Sequence, residues 1–254
     1  MIDAHAHLWR IGRNGCIWPP PGLAAIHRDF ELAELRALSP ADGVILVQSQ
    51  EDPADTDWLL SLAGDPFVAG VVGWADLTSP DAFPAHPKLL GLRPMVQDRE
   101  AGWFDNPAID AGLTAMARRG LVLDALVRPR HLPALDRLAA RHPDLTIVID
   151  HAAKPEIADV GPWPDDMARL AVRPNVSCKL SGLLTEMRAD EVEPIFATLW
   201  TAFGPDRLVW GSDWPVVTLA ATYAQWLSLA RRLVPAEHHP AVFDTNARRI
   251  YRAE

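Results

Sequence analysis

The chain is poor in cysteine: its 254 residues hold two, Cys16 and Cys178. Two distant cysteines make neither a disulfide framework nor a thiolate metal site, so a reducing compartment is expected. Basic residues are also in the minority. Lysine and arginine number 24 against 33 acidic residues, a formal charge of −9, and no Lys/Arg run is long enough to track a phosphate backbone. Nucleic acid is therefore not an expected partner. Long apolar runs are missing as well, and no charged start followed by an apolar stretch opens the chain, so no membrane partner is expected and a cytoplasmic location is. No repeat, low-complexity tract or linker divides the sequence. With 49% hydrophobic and 22% charged residues it can bury a full core, and a single domain is expected over residues 1–254.

What is present is a recurring β-rich pattern. Eight apolar runs follow one another: Ile2 to His7, Gly43 to Ser49, Val68 to Ala75, Leu89 to Met95, Leu121 to Val127, Leu145 to His151, Val176 to Ser181 and Leu208 to Asp213. Between them lie segments of helical spacing: Phe30 to Leu38, Thr56 to Ala63, Pro107 to Arg119, Leu132 to Arg141 and Val192 to Phe203. Strands alternating with helices imply a parallel sheet, and near-continuous apolar runs such as Gly-Val-Ile-Leu-Val imply a sheet covered on both faces. Eight of them fit a closed (β/α)8 TIM barrel. A doubly wound open sheet is the alternative, although no glycine-rich phosphate loop follows the first run.

Barrel enzymes keep their chemistry at the C-terminal ends of the strands, and here those ends are polar. The runs close on His5 and His7, Gln48 and Gln50, Arg93, Asp150 and His151, Lys179 and Ser181, and Ser212 and Asp213. His5 and His7 are two apart in a strand, so their rings share a face, as joint work on one ion or substrate needs. Asp124 lies inside an apolar strand, where an inward carboxylate needs a partner. The proline-rich segment from Asn14 to Gly22 cannot be helical and would border the mouth, with Trp18 as a wall or a packing residue.

Several segments together resemble the amidohydrolase superfamily, and within it the branch of sugar-lactone and 2-pyrone-4,6-dicarboxylate lactonases. They are His5-Ala-His7 after an initial Asp, Gly91-Leu-Arg93-Pro, Ile-Asp-His151-Ala-Ala-Lys154-Pro, Lys179-Leu-Ser-Gly, Trp210-Gly-Ser-Asp213-Trp-Pro and the closing Asn246-Ala-Arg-Arg-Ile-Tyr. The resemblance implies metal binding by His5, His7, His151 and Asp213, and catalysis by Asp213 and His151. Three imidazoles and a carboxylate suit Zn²⁺ or a similar ion with an open position for water. Asp213 would take the water proton and return it to the leaving alkoxide. The binuclear members' bridging residue has no counterpart, since the matching regions offer Arg93 and the Asp124 strand. The branch also includes members that need no metal; in that version Asp213 is the base, and His151 and nearby cations stabilise the oxyanion. The spacing does not separate the two.

Substrate contacts are expected from Arg93, Lys154, Trp103, Gln48 and His131, with Lys179 adding positive charge near the same mouth. The expected partner is a small lactone of a sugar acid or a related cyclic ester. A metal-dependent decarboxylase of an aromatic or muconate-like acid is the alternative chemistry, and a non-catalytic binding barrel is a third reading. The remaining histidines are read as surface residues. Trp200 and Trp226 fit either core or interface, so monomer and homodimer both stay open.

Overall fold

A computed structural model describes residues 1–253, the side chain of Asp159 excepted. Eight parallel strands, β1 (Ile2–Ala6), β2 (Gly43–Val47), β3 (Val68–Gly73), β4 (Leu89–Leu92), β5 (Val122–Ala125), β6 (Ile147–Ile149), β7 (Val176–Leu180) and β8 (Leu208–Trp210), pair in chain order. The last returns to the first. Asp213 N donates to His5 O at 2.8 Å, His7 N donates to Trp214 O at 2.7 Å, and Ser212 N donates to the Asp3 carboxylate at 2.8 Å. The sheet is thus a closed barrel, and every strand residue is buried, as runs apolar on both faces require.

The helices are α1 (Leu32–Leu38), α2 (Pro53–Ser61), α3 (Asp110–Arg119), α4 (Leu132–Arg141), α5 (Trp163–Ala171), α6 (Val192–Phe203), α7 (Tyr223–Leu233) and α8 (Asn246–Tyr251). The helix expected from Thr56 starts three residues earlier. Asp52 caps it by accepting from Ala54 N at 2.8 Å, and Pro53 takes its first position. That expected from Pro107 opens with a 3-10 turn, and its α-helical part begins at Asp110 and ends at the left-handed Gly120.

The barrel departs from regular alternation once. Between β3 and β4 the chain makes only a 3-10 turn at Pro80–Ala82, because Pro80, Pro84 and Pro87 deny a helix its backbone donors. The eighth helix comes instead from the C-terminus. Ala247, Ile250 and Tyr251 of α8, with Ala253, pack into an apolar cluster with Ile2, Ile45, Val72, Val122, Val148 and Val209, so α8 covers the end of the barrel opposite the polar mouth. No helix among the described residues is long and apolar enough to cross a membrane.

Candidate active site

The polar strand ends meet in one place. His5 Nε2 and His7 Nε2 lie 3.1 Å apart, and Asp213 Oδ1 lies 3.6 Å from the first, 3.3 Å from the second and 4.0 Å from His151 Nε2. Backbone geometry unusual for residues with a Cβ makes this possible. His151, Ala152, Ala153 and Lys154 form an unbroken left-handed run with φ of 52°, 53°, 62° and 51°, and Asp213 has φ 57°. Such φ values are uncommon outside glycine and cost free energy that the surroundings must offset. Here Trp163 Nε1 donates to Ala152 O at 2.8 Å and pins the run, while Ser181 Oγ sits 2.9 Å from His151 Nδ1 and fixes that ring.

A second polar layer lies beneath the first. Lys179 is fully buried, with its ammonium against Asp124, 3.1 Å from Asp150 Oδ1 and 3.1 Å from His5 Nδ1. This corrects the expectation that Lys179 charges the mouth; its charge is spent inside the barrel. Asp124 gains the partner its position demanded, and a second in Tyr251 of α8, whose hydroxyl donates to Asp124 Oδ1 at 2.6 Å. Arg93 donates to Asp150 Oδ2 at 3.3 Å and to Gln48 O. Two cations and two carboxylates are therefore balanced in the interior, as burial of charge requires.

Burial and these neighbours set the ionisation. Burial pushes the His151 ring down to about 4, against the opposing pull of Asp213 and Asp150. The His5 ring is likewise well below the ordinary imidazole range, through burial and then Lys179. Burial disfavours charge on Asp213, but the surrounding His151, His7 and His5 rings outweigh it and hold the carboxyl well below the usual range. Burial raises Asp124 to about 6, partly countered by Lys179. At neutral pH the site thus offers neutral His5 and His151 rings beside an ionised Asp213.

Above these residues opens a cavity of about 590 Å³ whose lining includes His7, His151, Asp213, Arg93, Lys154 and Trp18. A larger surface groove of about 950 Å³ lies against α7 and touches none of them. Arg93 is nearly buried, and its Nε has no hydrogen-bond partner among the described residues.

Three residues expected to touch substrate do not line the cavity. Trp103 packs edge-on to Phe104, with ring centroids 5.1 Å apart. His131 is buried as a brace between loops: Nδ1 accepts from Arg128 N at 3.0 Å and Nε2 donates to Arg99 O at 3.1 Å. Gln48 donates to Arg93 O at 2.8 Å, and so supports Arg93 rather than meeting the cavity. Conversely, Gln50, Asp52 and Glu186 line the cavity without having been singled out as ligand-binding. Glu186 has no local signal in the sequence, because only the fold brings it 3.0 Å from Lys154 Nζ.

Comparison with known proteins identifies the family. Over its full length the chain is 44% identical to 96% of an L-fucono-1,5-lactonase of Burkholderia ambifaria. Over 98% of its length it is 34% identical to 95% of an L-fucono-1,5-lactonase of Burkholderia multivorans. A crystal structure of an amidohydrolase from Burkholderia multivorans with bound zinc superposes with a TM-score of 0.93 at 33% identity, covering 100% of this chain and 99% of that one. The amidohydrolase family model matches residues 2–253, and the chain belongs to that family.

Proposed function

We propose that the protein hydrolyses the 1,5-lactone of a sugar acid, L-fucono-1,5-lactone or a close stereochemical relative, with Asp213 as the proton-transferring base. The observation that carries this is the convergence of one ionised carboxylate and three imidazole nitrogens at and just beneath the floor of a cavity of about 590 Å³, room enough for a sugar ring.

The donor set fits a divalent ion of zinc type. His7 Nδ1 lies 2.8 Å from Val47 O and must donate there, which leaves the Nε2 lone pair facing Asp213. Candidate ligand atoms of His5, His7 and Asp213 all lie within 4.8 Å of one another, and His5 and His151 lack the proton that would oppose a cation. His5, His7, His151 and Asp213 would hold the ion. When bound, it would acidify a water molecule and polarise the lactone carbonyl.

The chain's own groups account for the rest. Asp213 accepts the proton as water adds to the carbonyl carbon, and the tetrahedral intermediate collapses with loss of the ring oxygen. The same carboxyl then returns the proton to that oxygen, so no net proton stays on the protein. Ser181 holds His151 in place. Arg93, held at the cavity wall by Asp150 and Gln48 O, places positive charge beside the reacting ester.

The test is a pH-indicator assay of ring opening on L-fucono-1,5-lactone, with chelated and untreated protein. Turnover that Asp213→Asn reduces by about 10³-fold or more supports the reading. Loss on chelation with recovery on Zn²⁺ supports the metal-assisted version, and survival supports the metal-free one. Release of carbon dioxide from an aromatic acid, with no lactone opened, would replace the reading with a decarboxylase.

A further inference from the structure

We infer that Glu186 is a specificity-determining residue that restricts the distal part of the cavity to uncharged, hydroxyl-rich lactones and turns away those carrying an extra carboxylate; this rests on the lactonase reading. A cavity that accepts a dicarboxylate needs an uncommitted cation beyond the one that meets the reacting ester. Two arginine or lysine side chains line this cavity, and both are committed. Arg93 belongs to the interior network in which Lys179, Asp124 and Asp150 complete a neutral set. Lys154, aimed into the cavity from the end of the left-handed run, has its ammonium 3.0 Å from Glu186 Oε1.

The two partners reach each other from the loops after β6 and β7, and both side chains are largely shielded, at 16% and 22% exposure. A partly buried pair is weakly screened, so a ligand carboxylate approaching Lys154 must either displace Glu186 or lie beside it, and both are unfavourable. Asp52 and Asp98 add carboxylates to the lining. A neutral polyol meets no such penalty. It accepts from Lys154 and donates to Glu186 together, which makes the pair a reader of vicinal hydroxyls.

The experiment compares binding of two non-hydrolysable lactams by calorimetry. One is the 1,5-lactam of a 6-deoxy aldonic acid, and the other is the same ring bearing a carboxylate at C6. The unaltered protein is expected to favour the neutral lactam. Glu186→Gln, of the same size, is expected to raise the anionic-to-neutral ratio of association constants by about tenfold, as one shielded charge contact implies. Lys154→Gln is expected to lower that ratio, a reversal of sign that general damage to the fold would not produce. A ratio unmoved in Glu186→Gln, or an unaltered protein that prefers the anionic lactam, overturns the inference. Because the lactams need no turnover, discrimination between them without hydrolysis of any lactone would sink the lactonase reading alone. Lactone hydrolysis without discrimination would sink the role of Glu186 alone.

Discussion

His151 shows how little tolerance the site has at the scale of a residue. Its ring packs against Gly182, where φ is +61° and an added Cβ would lie 2.3 Å from His151 Nδ1. Gly182→Ala would both strain the backbone and displace the ring from its place beside Asp213. We expect kcat to fall by about tenfold or more, with near-native circular dichroism, since a displaced catalytic group costs rate before it costs the fold. An unchanged kcat would show that His151 needs no fixed position. Tyr251 tests the layer below. Tyr251→Phe removes the donor to Asp124 Oδ1 inside the barrel, and an unfolding free energy lower by about 1–3 kcal/mol is expected from denaturant titration. Parity along a strand paired His5 with His7, strand-end position placed them among the polar residues of the mouth, and the resemblance to the amidohydrolase motifs singled out His151 and Asp213 beside them. None of these was enough for Trp103 or His131, because no local pattern says which way a loop residue packs.

Among the elements, one amide ties the tip of the loop from β1 to α1 to the chain after β2. Gln50 Oε1 accepts from Ile17 N at 3.1 Å and Trp18 N at 3.2 Å, while its Nε2 donates to Trp18 O at 2.8 Å. This clamp ties the first loop to the end of β2 and holds Trp18 edge-on to Trp9, with ring centroids 5.3 Å apart. Ile17, 90% exposed, forms part of the cavity lining. Gln50→Ala should release this wall while leaving Asp213 and the histidines untouched. Lactone kinetics should show KM rising about tenfold with kcat changed by less than about threefold, as loss of uniform binding predicts. A fall in kcat alone would mean that the loop orders the reacting groups. The strands were legible because an apolar run buried on both faces has few other homes. The helix-free crossover before β4 is explained by its prolines, whereas the role of α8 was not legible, since a six-residue helix has no pattern that says what it covers.

For the molecule as a whole, closure of the barrel concentrates buried charge, and pH is the probe of it. Asp55 accepts from Ser49 N at 2.8 Å and Gln50 N at 3.2 Å, and burial raises its carboxyl to about 6 against those bonds. The folded state therefore holds the proton more tightly than the unfolded chain, whose carboxyl titrates near 3.8. The cost of its charge is fully present above pH ~6 and is relieved as pH falls toward ~4. The stability of the native protein relative to Asp55→Asn is expected to rise by up to about 3 kcal/mol between pH 7 and pH 4. A difference that stays flat over that window would show that the backbone donors keep Asp55 ionised.

The sequence by itself determined the parallel eight-stranded barrel and the polar end of its strands, while His5, His7, His151 and Asp213 stood out among those ends through the resemblance to the amidohydrolase motifs. The barrel and its polar end follow from period and strand-end position, which are properties of short stretches of chain. Tertiary structure decided which charges face the substrate. Lys179 was drawn inward by Asp124 and Asp150, Lys154 was matched by Glu186, and Tyr251 reached Asp124 across 127 residues of sequence. Such pairings depend on distances between strands and loops far apart in the chain, and a charge finds its partner only when the barrel closes.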